Sequence, residues 1–152
     1  MKERFEAFTG LINKISRNIR KIKNQEMAEY GLRSTHVSCL YYLYSEGSLT
    51  ATELCERCEE DKATISRALK HLEKNGFISR RAKIIKRYKS RLTLTDKGKE
   101  AGEMINAKVL SILDEVGALL PDSERDAFYG YLTAISDSLE RVTERMADID
   151  LV

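Results

Sequence analysis

The sequence has very little proline and glycine, with one proline and eight glycines in 152 residues. These two residue types punctuate regular structure most strongly, so their scarcity predicts a mostly helical chain. No apolar run approaches the roughly 20 residues that a membrane-spanning helix needs. The first ten residues also lack the continuous apolar stretch of a secretory signal peptide. We therefore expect a cytoplasmic protein with no membrane contact.

Cysteine and histidine are also scarce. There are three cysteines, Cys39, Cys55 and Cys58. So small and uneven a number does not suggest a disulfide framework. Cys55 and Cys58 lie three residues apart, which on a helix places both thiols on one face. Three interpretations stay open for the cysteines: packed core residues, a thiol-redox switch, or part of a metal site. The core interpretation is favoured because zinc-ligand spacing is absent and free cysteine behaves as a small apolar residue. We predict no metal and no cofactor.

Enzyme motifs are missing as well. The sequence contains no glycine-rich phosphate loop, no G-x-S-x-G and no paired carboxylate motif. Its glutamate-rich stretches are typical of solvated helix faces. We therefore expect a protein that is not an enzyme.

Charge is distributed unevenly along the chain. The formal net charge is only +2, but the segment from Lys62 to Arg91 contains eleven basic residues and one acidic residue, Glu73. That segment carries +10, which leaves −8 for the remainder of the chain. A basic segment in an otherwise acidic protein is typical of a protein that binds a polyanion. The alternative is a solvated charged surface.

The two ends of the chain carry regular apolar stripes. Apolar residues recur at alternating spacings of three and four, which places them on one face of a helix. Such seams predict helices that pair with a second copy of the chain. The stripe residues are Phe5, Phe8, Ile12, Ile15 and Ile19 near the start, and Leu132, Ile135, Leu139, Val142 and Met146 near the end.

The middle of the chain has the pattern of a winged helix-turn-helix. Ser34 or Thr35 is expected to cap a helix that ends at Gly47, and Thr50 with Glu53 has the spacing of a capping box for a short helix. Asp61 begins a further helix that runs to the Asn75-Gly76 pair. Two period-two segments follow, around residues 77–80 and 90–95, and enclose a basic loop.

The second helix of this motif has two chemically different faces. Ile65, Leu69 and Leu72 recur at helical spacing and should pack inward. The opposite face should then be small, polar and cationic, which suits the major groove of DNA. The residues on that face are Lys62, Ala63, Ser66, Arg67 and Lys70.

The segment SLTATELCERCEEDKATISRALKHLEKNGFISRRAK, followed by SRLTLTDKGKE, resembles the MarR family (multiple antibiotic resistance regulators). The resemblance lies in L-T-x-x-E-L, D-K-x-T-I-S-R, L-E-K-x-G-F-I and L-x-L-T-x-K-G, and extends to the flanking helices. It implies a homodimer that presents two winged heads to a pseudo-palindromic duplex. It also implies a repressor that is released by a small molecule or by oxidation.

The resemblance also implies roles for individual residues. Ala63, Ser66 and Arg67 match positions that reach bases. Lys62, Thr64 and Lys70 are expected beside phosphates or bases, and Thr50 beside a phosphate. The wing is expected to use Lys83, Lys86, Arg87, Tyr88 and Lys89. Lys86 and Tyr88 stand where the family's wing usually has Asp-x-Arg, so the minor-groove residue is left open. His36 lies near the family's effector pocket, but a helix-capping or surface histidine is the alternative interpretation.

These observations predict a mainly α-helical fold with a small β-hairpin wing. We expect residues 34–95 to form the winged helix-turn-helix, and residues 1–33 and 96–152 to form helical dimerisation regions. The leading functional hypothesis is a dimeric, effector-released repressor that binds double-stranded DNA. Two alternatives remain: a thiol-redox or metal-responsive sensor on the same scaffold, and a helical interaction module whose basic hairpin binds an acidic protein.

Overall fold

A computed structural model of the protein describes residues 2–80 and 90–149. The described residues form six helices and three strands, with a short 3₁₀ turn at Ala28–Tyr30. The helices are α1 (Lys2–Glu26), α2 (Ser34–Glu46), α3 (Ala51–Cys58), α4 (Lys62–Lys74), α5 (Asp96–Gly117) and α6 (Asp122–Ile149), and the strands are β1 (Ser48–Leu49), β2 (Ile78–Arg80) and β3 (Leu92–Leu94). The predicted fold class, mainly α-helical with a small β-hairpin, is confirmed, and a third strand joins the sheet.

The chain divides into two compact units, Met1–Lys108 and Val109–Val152. The core of the first unit lies where α2, α3 and α4 pack together. Ile65, Leu69 and Leu72 of α4 are buried there, which confirms their predicted inward orientation, as are Leu40 of α2 and Leu54 of α3. Full burial of each such side chain contributes about 1.5–3 kcal/mol, so the apolar face of α4 fixes which face is left for solvent.

Helix caps set the boundaries of α3 and α4. The predicted capping box is present: Glu53 N donates to Thr50 Oγ1 (3.2 Å), and Thr50 N donates to Glu53 Oε2 (2.6 Å). Asp61 caps α4 by accepting the Thr64 N–H at 2.8 Å. The sharp turn between the two helices places Glu59 in the left-handed region, at φ 52°.

The predicted cap of α2 was wrong, because Arg33 and not Ser34 or Thr35 occupies the N-cap position. Two side chains satisfy the exposed N–H groups instead. Asn24 Oδ1 accepts the Ser34 N–H at 2.7 Å, and His36 Nδ1 accepts the Arg33 N–H at 3.0 Å. A side chain from α1 therefore replaces the hydroxyl cap that the local sequence suggested.

The strands form a three-stranded antiparallel sheet in the order β1-β3-β2. The two expected strands pair with Ser79 opposite Thr93, and β1 adds a third strand through Ser48 opposite Thr93 and Leu49 opposite Leu92. A two-residue strand has no period-two signal of its own, which is why the sequence did not reveal it. The sheet therefore links β1, which leads into α3, to β3.

The apolar stripes of α1 and α6 are largely exposed. Within α1, Ile12, Ile15 and Ile19 are exposed and Phe8 is half-buried, while the Phe5 side chain lies outside the described part of the chain. Within α6, Leu132 is half-buried, and the exposed members are Ile135, Leu139, Val142 and Met146. Leu139 has 52% of its surface exposed and Ile15 has 53%. Among the described residues, no helix is long and apolar enough to cross a membrane.

Candidate nucleic-acid interface

The outer face of α4 is exposed and carries the small, polar and cationic residues that the sequence predicted for it. Lys62, Ala63, Ser66, Arg67 and Lys70 are all exposed, and Thr64 beside them is half-buried. Ala63 and Ser66 are short, so another molecule can approach the helix closely between the longer cations. The face combines close approach with positive charge, as a helix lying in the major groove requires.

A chain of hydrogen bonds organises the first turn of α4. Arg67 donates from its guanidinium to Thr64 Oγ1 (3.2 Å), and the Thr64 hydroxyl donates to Asp61 Oδ2 (2.8 Å). The Thr64 backbone N–H donates to the other oxygen of Asp61. These bonds from Thr64 lower the pKa of Asp61, and the nearby Arg67 lowers it further. The carboxylate therefore stays ionised, and Arg67 is held towards the N-terminus of the helix.

Thr50 occupies the corresponding place on α3. Its Oγ1 accepts the Glu53 N–H, so the hydroxyl proton remains able to donate to a phosphate oxygen. The same two bonds with Thr50 lower the pKa of Glu53, with smaller contributions from Arg91 and Arg57. A carboxylate thus stays charged beside the predicted phosphate contact.

A cleft of about 630 Å³ opens between the start of α3, the outer face of α4 and β2. Its lining includes two apolar residues of α4, Ile65 and Leu69, and three cationic residues, Lys62, Lys70 and Arg80. Arg80 Nε also donates to Glu73 Oε1 at 2.5 Å, which ties β2 to α4. Its remaining lining residues are Ala51, Thr52, Cys55 and Ser66. An amphipathic anion has the chemistry that this cleft would accept.

The wing residues Lys83, Lys86, Arg87, Tyr88 and Lys89 lie outside the described residues. Their predicted roles stay predictions.

The two histidines come together although they are distant in sequence. The rings of His36 on α2 and His71 on α4 stack with centroids 4.3 Å apart and planes 3° from parallel. Burial lowers the pKa of His36 to about 4, and His71 and Arg33 contribute in the same direction. The imidazole is neutral near pH 7, with Nδ1 accepting the Arg33 N–H. These contacts favour the capping interpretation of His36.

The cysteines occupy one region of the helix-turn-helix core. Cys39 is fully buried, whereas Cys55 and Cys58 are half-buried. The thiols of Cys39 and Cys58 interact with each other. This interaction and burial raise the pKa of Cys39, while the same interaction and the Lys23 ammonium lower the pKa of Cys58. Burial raises the pKa of Cys55. Across the described part of the chain, no three Cys, His, Asp or Glu side chains are grouped so that they could hold a metal ion.

Two arginines at this surface were not singled out from the sequence. Arg80 lines the cleft, and Arg91 bonds to Ser48 beside the start of α3. Both had been counted only within the basic segment. Their contacts depend on the pairing of β1 with β3 and of β2 with β3, and the first of these pairings had no signal in the sequence.

The comparisons with known proteins agree with this geometry. The sequence profile of the MarR family matches residues 32–83. The chain is 34% identical over 117 residues to the uncharacterised HTH-type transcriptional regulator YwoH of Bacillus subtilis (strain 168), covering 77% of this chain and 85% of YwoH. It is 29% identical over 140 residues to the HTH-type transcriptional repressor YetL of the same organism, covering 91% of this chain and 81% of YetL.

Among solved structures, the S. aureus MepR–DNA complex superposes with a TM-score of 0.77 at 20% identity, covering 87% of this chain and 97% of MepR. At that identity the likeness shows the shared fold. YwoH is similar enough, over enough of both chains, to show the family itself. The chain therefore belongs to the MarR family of winged-helix, DNA-binding transcriptional regulators and is not an enzyme.

Proposed function

We propose that the protein is a homodimeric repressor that reads a pseudo-palindromic duplex with α4 and is released by a small-molecule effector. The observation that carries the proposal is the division of α4 into a buried apolar face and an exposed face of short and cationic side chains. YetL, a relative over most of the chain, is named a repressor, and MepR has been solved bound to DNA. Such a regulator would act on DNA in the cytoplasm.

Base recognition is assigned to Ala63, Ser66 and Arg67. Arg67 can form two parallel hydrogen bonds to guanine O6 and N7, whereas Ala63 and Ser66 leave room for the base edge. The bond from Arg67 to Thr64 supports this assignment, because it restrains the guanidinium before DNA arrives. Less side-chain entropy is then lost on binding.

Phosphate contacts are assigned to Lys62, Thr64, Lys70 and Thr50, with the predicted wing residues adding to them. Each lysine that neutralises a phosphate releases counterions. The logarithm of the association constant should therefore fall with the logarithm of the salt concentration with a slope of about 0.9 per phosphate contact. The helix N-terminus at Thr50 also favours an anion, since its N–H groups carry partial positive charge.

Dimerisation is assigned to the exposed stripes of α1 and α6. Side chains as apolar as Ile15 and Leu139 remain about half exposed in a single chain. A monomeric protein rarely exposes contiguous apolar patches of this kind, and burying them against a second copy would stabilise both. Two winged heads would then meet half-sites about one helical turn apart.

The effector is assigned to the cleft between α3, α4 and β2. Its cationic and apolar lining suits a small aromatic or aliphatic acid, and several of its residues belong to the face proposed to touch DNA. Occupancy of the cleft would therefore compete with the duplex. The prediction that His36 lines an effector pocket has less support, because its ring is stacked and its Nδ1 already accepts a bond.

The proposal is tested by selecting duplexes from a randomised pool with the wild-type protein and measuring binding to the selected duplex across a series of salt concentrations. Lys70→Ala should weaken binding to selected and scrambled duplexes alike and reduce the salt slope by about 0.9. Lys99→Ala, which removes an exposed lysine paired with Asp96 on α5, should change neither. A wild-type protein that selects no duplex would contradict the proposal and favour a protein-binding module.

The thiol contact between Cys39 and Cys58 supports a second candidate, a redox-responsive regulator. Hydrogen peroxide would oxidise the Cys58 thiolate to a sulfenic acid with loss of water, and Cys39 would displace a second water to form a disulfide. The expected results are a mass loss of about two hydrogens and altered DNA affinity, both abolished by Cys58→Ser. Unchanged affinity after peroxide, with Cys55→Ser as a further control, would exclude this candidate.

A further inference from the structure

Arg91 lies immediately before β3, next to the start of the helix-turn-helix. Its Nε donates to Ser48 Oγ (2.9 Å), and one terminal nitrogen donates to the Ser48 carbonyl oxygen (2.6 Å). The other terminal nitrogen lies 3.9 Å from Glu53 Oε1. The guanidinium therefore joins three segments: the strand after the wing, β1, and the first turn of α3.

The carboxylate of Glu53, which lies beside Arg91, is close to the proposed position of a DNA phosphate. Glu53 completes the capping box of α3 by accepting the Thr50 N–H. Thr50 is also the residue proposed to meet a DNA phosphate. Capping therefore places the negative charge of Glu53 close to the proposed position of a DNA phosphate, and two like charges at such a distance repel each other.

Arg91 is placed to reduce that repulsion. Its two hydrogen bonds to Ser48 hold the guanidinium in place, so that its positive charge stays near Glu53. An exposed ion pair alone would be too weak to fix the side chain there. We propose that Arg91 is a positioning residue for DNA binding, which neutralises the capping carboxylate of Glu53 so that the first turn of α3 accepts a phosphate at Thr50. The inference depends on the proposed DNA interface.

A direct contact between Arg91 and DNA is the competing explanation, since about half of the side chain is exposed. The two explanations differ in what Glu53→Gln does. Glutamine keeps a carbonyl oxygen for the Thr50 N–H and is the other residue that completes capping boxes. It removes the negative charge, and with it the need for Arg91.

The experiment measures dissociation constants for the duplex selected by the wild-type protein, over a series of salt concentrations, with a melting curve for each variant. Arg91→Ala should weaken binding about five- to tenfold, with the salt slope unchanged. Glu53→Gln should bind at least as tightly as the wild type, because the charge of Arg91 then remains without the opposing carboxylate, and adding it to Arg91→Ala should restore binding to within about twofold of the wild type. Arg91→Lys, which keeps a charge near Glu53, should recover part of the loss.

Arg141→Ala is the matched control, because it removes an exposed guanidinium that donates to Ser138 Oγ on α6, outside the helix-turn-helix. It should leave affinity unchanged. The inference is overturned if Arg91→Ala binds like the wild type, or if the double variant binds as weakly as Arg91→Ala alone. A fall of about 0.9 in the salt slope of Arg91→Ala would identify a direct phosphate contact and also overturn it. Failure of the wild type to select a duplex would instead overturn the proposed function, and this inference with it.

Discussion

Gly98, the glycine of the L-x-L-T-x-K-G motif, should not tolerate even one added methyl group. A Cβ at this position would lie 1.9 Å from the Phe77 carbonyl oxygen and 3.2 Å from Leu94 Cδ2. The first of these atoms belongs to the backbone, so no flexible side chain can move aside. The same carbonyl oxygen accepts bonds from Thr95 N (3.1 Å) and Thr95 Oγ1 (3.2 Å).

The cost of Gly98→Ala follows from these contacts. Overpacking costs about 1–3 kcal/mol, and displacing the carbonyl would weaken two hydrogen bonds of about 1 kcal/mol each. Alanine regains up to about 1 kcal/mol through its greater helix propensity. The free energy of unfolding should therefore fall by about 2–4 kcal/mol, which for a chain of this size lowers Tm by roughly 4–16 °C.

Differential scanning calorimetry at fixed protein concentration measures this effect. Gly10→Ala is the matched control, because a Cβ there meets nothing within 4 Å on α1. It should leave Tm unchanged or raise it, as expected for alanine in an open helical position. Equal melting temperatures for Gly98→Ala and the wild type would refute the argument from close approach.

Three further predictions concern the caps, the stripes and pH. Asp61→Ala should lower the free energy of unfolding by about 1 kcal/mol in urea titrations, because α4 loses its N-cap, whereas Asp61→Asn should retain most of it. Leu139→Glu should give a monomer by light scattering with lost duplex binding, while Thr133→Glu, which changes an exposed α6 residue on the opposite side of the helix from the stripe, should remain dimeric. A dimeric Leu139→Glu would contradict the proposed seam. Folding lowers the pKa of His36 from 6.5 to about 4, so the unfolded state binds more protons between these pH values. The contribution of neutral His36 to stability is therefore present above about pH 6.5 and is lost as the pH falls towards 4. This loss should be smaller in His36→Gln, and an identical pH dependence of stability in the variant and the wild type would count against the shift.

Much of this fold follows from local patterns in the sequence. The spacing of Ile65, Leu69 and Leu72 fixed the inward face of α4, and Thr50 with Glu53 marked the start of α3. These features are predictable because the groups involved lie within one or two helical turns of each other. Period-two alternation likewise located β2 and β3.

Features that depend on contacts between distant segments were not predictable. The cap of α2 comes from Asn24, ten residues before Ser34, and the ring stack joins His36 to His71. Arg91 reaches Ser48 across 43 positions through a strand pair that only two residues of β1 supply. No local propensity encodes such pairings, since they form only when the core of α2, α3 and α4 brings the segments together.

The most direct test of the central claim, that the outer face of α4 reads bases, is the ratio of affinities for the selected duplex and a scrambled one. This ratio is measured for the wild type and Arg67→Ala by competition at a single salt concentration. If the outer face of α4 reads bases, Arg67→Ala loses about 1–3 kcal/mol of discrimination, mainly through weaker binding to the selected duplex. If Arg67→Ala distinguishes the two duplexes as well as the wild type does, α4 does not read the sequence through Arg67, and the assignment is wrong.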